Sequence, residues 1–139
     1  MISLILVDTS VIIGYLKGLE NPKIELFEKV LKQKVMYGIS SYTYQEVLQG
    51  SRDNEEFNKL NEYLSTQKIY FLPESIETYE SGAKMFYNLR KAGITIRSTI
   101  DILIALTAIE YDLSLLHNDR DFEMIKAHTS NFKTISELF

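Results

Sequence analysis

Five acidic side chains stand where a strand gives way to a helix or where a helix begins: Asp8 in "LVDTSVII", Glu46 in "SSYTYQEVLQG", Asp101 in "RSTIDILIALTA", and Asp119 and Asp121 in "HNDRDF". Taken singly, each has an ordinary explanation. Asp8 can cap a helix N-terminus. Glu46, three residues after Thr43, and Asp101, three after Ser98, fit capping boxes. Asp119 and Asp121 suit a turn or the first turn of a short helix. What they share is position. In a parallel sheet the helices that follow strands all begin at the carboxyl edge, so local caps at those points predict one carboxylate cluster. Asp8, Glu46 and Asp119 follow strands directly, whereas Asp101 opens the helix leading into the fourth strand and must join them through tertiary packing.

Carboxylates gathered at short range repel one another and take up protons unless a cation sits between them. Oxygen-only ligands suit Mg²⁺ or Mn²⁺. Zinc fits poorly, because the chain has no cysteine and its two histidines, His117 and His128, follow no zinc-binding spacing. His117 reads either as a neighbour of the acidic site or, preferred, as a surface histidine at a strand end, and His128 reads as a loop residue. No phosphate loop, dinucleotide fingerprint or nucleophile elbow occurs, and Ser10, Ser40 and Ser41 have no histidine in a triad pattern. A metal held by acids activates water and stabilises charge on a phosphoryl group, which points to phosphodiester hydrolysis.

The elements that must position these acids can be read from the apolar pattern. Strands are expected over 3–7, 35–40, 69–72, 113–117 and 132–135, and helices over 10–17, 22–33, 43–50, 54–66, 75–91 and 98–111. "SLILV" is a run of aliphatics, as in a strand buried on both faces. Strands alternating with helices predict an α/β fold with helices on both faces of a five-stranded, mainly parallel sheet. "IDILIALTAIEY" is apolar on nearly every side, as in an enclosed helix, while "NEEFNKLNEYLST" is amphipathic through Phe57, Leu60 and Leu64. Helices 22–33 and 54–66 are candidates either for the core or for an exposed apolar groove that a partner fills.

At 139 residues, 45% hydrophobic and 24% charged, the chain has the composition of one soluble globular domain spanning 1–139. The absence of cysteine fits a reducing cytoplasm, and "ISLILV" is far too short to span a membrane. The net charge of −4 argues against general coating of nucleic acid, yet reserving four of the 19 acids for a metal leaves them equal to the 15 Lys and Arg.

Together, "LVDTSVII", "YQEVLQG" and "TIDILIALTAIEYDLSLLHNDRDF" resemble the PIN-domain family, and in particular VapC-type toxin ribonucleases. The segment from Asp101 to Phe122 carries the resemblance most strongly. The resemblance implies a three-layer α/β/α sandwich, Mg²⁺-dependent cleavage of RNA with Mn²⁺ able to substitute, homodimerisation, and inhibition by a cognate antitoxin. It further implies that Asp8, Glu46, Asp101 and Asp119 form the catalytic quartet. Asp8, Asp101 and Asp119 would hold the principal metal, with Asp121 a fifth acid beside them, and Glu46 would position a second ion or the attacking water. Thr9 or Ser10 would orient Asp8 or a water. RNA phosphates would meet cations near the motifs: Arg52, Lys84, Arg90, Lys91, Arg97 and Arg120. Tyr42 and Tyr44 could stack on a base, or pack in the core or at a dimer contact. The chain departs from the family where a threonine is common before the last acids: His117 stands there, followed by Asn118, a second supporting residue.

Three other readings remain open at this point. A metal-dependent phosphoesterase of small substrates would share the site but lack an RNA channel. A phosphoacceptor receiver would want an acidic pair beside the first strand and a lysine after a late one, and neither is present. A catalytically silent binding module would have little reason to retain every acid.

Overall fold

The structure, a computed structural model, describes residues 4–138. Its elements are β1 (Ile5–Val7), α1 (Thr9–Leu16), α2 (Pro22–Lys32), β2 (Gly38–Ser40), α3 (Ser41–Gln49), α4 (Asn54–Leu64), β3 (Lys68–Tyr70), α5 (Ile76–Lys91), α6 (Thr99–Glu110), β4 (Ser114–Leu116), α7 (Arg120–His128) and β5 (Lys133–Thr134). All five expected strands form, shorter than their apolar runs; Ser3, assigned to the first of them, lies outside the described residues. The short helix offered as one of two readings for Asp119 and Asp121 forms as α7, and His128, read as a loop residue, closes it. Among the described residues, no helix is long and apolar enough to cross a membrane.

The strands pair in the order β3-β2-β1-β4-β5, and every pairing is parallel. The chain winds outward from β1 in one direction through β2 and β3, then crosses back to β4 and β5. The order therefore reverses between β1 and β4, and in open parallel sheets ligands bind just beyond the carboxyl ends of the strands at such a point. In register, Val7 lies opposite Leu116, so Asp8 and His117 leave the sheet side by side, joined by Asp8 N–H to the Leu116 carbonyl at 2.9 Å.

The aliphatic run of β1 is buried throughout because its side chains alternate between two cores. Leu6 and Leu115 point into one, with Leu89 of α5, Ile102 and Ala105 of α6, and Phe122 and Ile125 of α7. Ile5, Val7 and Leu116 point into the other, with Val11 of α1, Phe27 and Val30 of α2, Val47 of α3 and Leu64 of α4. This is the α/β/α sandwich. Each fully buried Leu, Ile or Phe contributes roughly 1.5–3 kcal/mol relative to exposure. The apolar stripe of α2 belongs to the second core, so α2 is not the exposed groove suggested as one of its two readings. Tyr42 packs against the first core and Tyr44 against the second, where its hydroxyl donates to Asn61.

Candidate active site

Asp8 is the residue after β1 and the N-cap of α1. Its Oδ2 accepts from the Ser10 backbone N–H at 3.0 Å and from the Ser10 hydroxyl at 2.6 Å. The residue is only 3% exposed, and its other oxygen, Oδ1, is buried without a hydrogen-bond partner. An ionised carboxylate oxygen removed from water and left unpaired is costly. Burial, reinforced by the neighbouring Glu46 charge and opposed by the Ser10 bonds, pushes the Asp8 carboxyl up to about 6.

Asp101 lies in the first turn of α6, which Ser98 caps by accepting from the Ile100 N–H at 3.1 Å. Asp119 caps α7 in the same way, accepting from the Asp121 N–H at 3.0 Å. Packing of α6 against α7 brings these caps together, so one carboxylate oxygen each from Asp101, Asp119 and Asp121 lies within 4.8 Å of the others. Burial pushes the Asp101 carboxyl up to about 7, with the charges of Asp8, Asp119, Asp121 and Glu46 adding to it in that order. Five acids thus act on one another, although Asp8 and Glu46 fall outside the tightest group.

Glu46 does not close a capping box. The cap of α3 is Ser40, whose hydroxyl accepts from the Thr43 N–H at 3.0 Å, so the helix starts earlier than Thr43 and Glu46 lies in its second turn. From there Glu46 Oε1 accepts from the Thr9 hydroxyl at 2.6 Å, and Thr9 Oγ1 also lies 3.0 Å from Thr43 Oγ1. Thr9 therefore orients Glu46, whereas Ser10 orients Asp8. Asn118 takes part through its backbone: its N–H donates to Ser10 Oγ at 2.9 Å, while its side chain is exposed.

Of the cations expected near phosphate, Arg97 stands at the acids. Its Nη2 lies 3.1 Å from Asp119 Oδ1 and its Nε 3.1 Å from Asp121 Oδ2, with 72% of the side chain exposed. Arg52 is paired with Glu56 at 2.7 Å. Arg90 lies over the Phe86 ring, Lys84 and Lys91 lie over Tyr87, and Arg120 is exposed at the start of α7.

His117 corrects the sequence reading most directly. It is 3% exposed, not a surface residue. Its ring packs against Phe122, its Nε2 lies 2.7 Å from Glu123 Oε2, and its Nδ1 accepts from the Asp119 N–H at 3.2 Å. A ring nitrogen that accepts carries no proton, so the proton resides on Nε2 and is donated to Glu123. Burial pushes the imidazole pKa down, against the opposing hydrogen bond to Glu123. Both nitrogens are engaged, and the candidate ligands are oxygens alone. Glu123 was not singled out from the sequence, and Thr43 was read there only as a helix cap. The signal for Glu123 was its place one turn beyond the Asp119 cap.

The family model for the PIN domain matches residues 5–127, which span all five acids. The chain belongs to the PIN-domain family. Among curated relatives, it is 25% identical over 134 residues to VapC ribonuclease Mb1587 of Mycobacterium bovis and equally to ribonuclease VapC11 of Mycobacterium tuberculosis, covering 96% of this chain and 98% of each relative. Its fold is similar to that of VapBC2 from Rickettsia felis, solved bound to a promoter DNA fragment (TM-score 0.70, 20% identity, 94% of this chain and 96% of that one). It is also similar to VapBC-1 from nontypeable Haemophilus influenzae (TM-score 0.68, 23% identity, 95% and 96%).

Proposed function

We propose that this PIN-domain protein is a divalent-metal-dependent endoribonuclease and the toxin of a toxin-antitoxin pair. The observation that carries the reading is the buried, unpartnered Oδ1 of Asp8 beside Asp101, whose neighbouring carboxylates crowd within 4.8 Å. A cation relieves both the unpaired oxygen and the mutual repulsion. The all-oxygen donor set favours Mg²⁺, with Mn²⁺ as its substitute. Asp8, Asp101, Asp119 and Asp121 would hold it. Family membership and relatives named as ribonucleases supply the substrate class.

When bound, the ion supplies an activated water and neutralises charge on the phosphoryl oxygens. The chain's own residues do the rest. Ser10 fixes the Asp8 carboxylate and ties it to the turn that carries Asp119. Asp101, whose carboxyl burial pushes up to about 7, would hold the ion as the carboxylate. Glu46, fixed by Thr9 through one oxygen, keeps the other to accept a proton from the attacking water. Arg97, paired with Asp119 and Asp121 and largely exposed, is the cation best placed to meet an RNA phosphate.

An antitoxin is the proposed protein partner, since the relatives of similar fold were solved as VapBC complexes. A cleft of about 860 Å³ between α1, α3 and α4, lined by Ile13, Leu16, Val47 and Leu60 and by the ion pairs Arg52–Glu56 and Lys59–Glu55, suits the apolar face of an amphipathic segment. A second copy of the chain is the other expected partner.

The test is cleavage of a structured RNA by purified protein with Mg²⁺ or with chelator, using wild type and the Asp8→Asn and Asp101→Asn variants. Cleavage that requires the metal, is lost in both variants, and is not accompanied by hydrolysis of mononucleotide esters supports the proposal. Turnover of small esters without RNA cleavage favours the phosphoesterase reading. Undiminished cleavage by either variant contradicts the assignment of the acids.

A further inference from the structure

Asp119 is the N-cap of α7, and an N-cap residue's own N–H lies outside the helical ladder. In a capping box the third helical residue, a Glu or Gln, reaches back to bond it. Here that residue is Phe122, which cannot accept and is committed to the core at 0% exposure. The N–H is instead bonded by His117 Nδ1 at 3.2 Å, from the other side of the turn. His117 is held in turn by Glu123, the residue after Phe122, through Nε2 at 2.7 Å, and by the Phe122 ring. Glu123 thus caps the helix through an imidazole relay.

We propose that His117 is a positioning residue for Asp119: its unprotonated Nδ1 fixes the backbone from which the Asp119 carboxylate is presented to the cation. The inference rests on the carboxylate-metal reading above. Its second support comes from the adjoining peptide. The Asn118 N–H is held by Ser10 Oγ, the same hydroxyl that holds Asp8. Two consecutive N–H groups of this turn are therefore bonded by side chains, one linked to Asp8 and the other to α7. Those two bonds, added to the Asp8 N–H bond to the Leu116 carbonyl, tie the turn that carries Asp119 to Asp8 and to α7. Loss of a partner that orients a metal ligand typically lowers metal affinity or activity by about 10–100-fold.

Two variants separate this role from ring packing, because both remove the ring from Phe122. His117→Asn places an amide oxygen near the position of Nδ1 and cannot reach Glu123. His117→Gln reaches toward Glu123 and leaves the Asp119 N–H without its acceptor. Mn²⁺ affinity by calorimetry and exchange of the Asp119 amide by NMR in metal-free protein are measured on wild type and both variants. The expected result is weaker Mn²⁺ binding by His117→Gln than by His117→Asn, by about tenfold. Asp119 amide exchange is expected to be faster in the Gln variant by roughly fivefold or more. Equal Mn²⁺ affinities and equal exchange in the two variants overturn the proposal, as does the reverse ranking. If wild type itself binds no Mn²⁺, the metal reading fails, and the amide exchange still decides whether Nδ1 holds the turn.

Discussion

Ser10 Oγ lies 2.6 Å from Asp8 Oδ2 and donates to it, leaving the opposite oxygen, Oδ1, buried and unpaired. One half of the carboxylate is thus satisfied by its own turn, and the other half is buried without a hydrogen-bond partner. That asymmetry separates a structural cap from a ligand, since a cap needs only one oxygen.

The first prediction concerns Asp8→Asn in metal-free protein. A carboxyl raised from 3.8 to about 6 binds its proton more tightly folded than unfolded. Its ionisation therefore opposes folding as pH rises through that interval, by on the order of 3 kcal/mol when complete. The neutral amide escapes most of this. Urea denaturation with chelator should find Asp8→Asn more stable than wild type at pH 8, by about 1–3 kcal/mol. The gain should vanish near pH 4, where the wild-type carboxyl is protonated in the folded state. A variant less stable than wild type at pH 8 would show that the Asp8 charge holds the fold together.

Cation entry should release protons. With Asp8 at about 6 and Asp101 at about 7, both carboxyls are partly protonated just above pH 6. Calorimetry of Mn²⁺ binding in buffers of different ionisation enthalpy should then find about one proton released near pH 6 and almost none above pH 8.5. Release independent of pH would place the ion elsewhere.

Arg97 competes with the cation for Asp119 and Asp121. Because it is largely exposed, its ion pairs contribute little to stability, roughly 0–1 kcal/mol. Arg97→Gln should therefore melt close to wild type yet bind Mn²⁺ several-fold more tightly, and cleave RNA more slowly at saturating metal. Weakened Mn²⁺ binding would contradict this account of the arginine.

Much of this was legible in the sequence. Apolar runs located β1 and β4 because a strand between two helical layers must be apolar on both faces, whereas the edge strands β3 and β5 are partly exposed and keep only a short ladder. Asp8 and Asp119 were legible as helix caps because each stands where a strand gives way to a helix at the carboxyl edge. Glu46 was misread locally: Ser40, a better-placed cap, starts α3 earlier and turns the glutamate toward Thr9. The burial of His117 was hidden because it depends on Phe122 and Glu123 of α7, a helix whose few apolar residues gave no clear period.

Gly38 tests the sheet that carries the site. A Cβ there would overlap the Tyr70 ring and stand 3.0 Å from the Lys68 carbonyl oxygen on the paired strand. Gly38→Ala should destabilise the protein by about 1–3 kcal/mol in urea denaturation. An unchanged midpoint would mean that Tyr70 can move aside.

The central claim is that the acids jointly hold a divalent cation. The most direct measurement is the anomalous difference density of a crystal soaked in Mn²⁺. A peak is expected between the carboxylates of Asp8, Asp101 and the Asp119–Asp121 pair, with at least Asp8 Oδ1 in direct or water-mediated contact. No peak at that position, at a Mn²⁺ concentration that supports cleavage in solution, would contradict it.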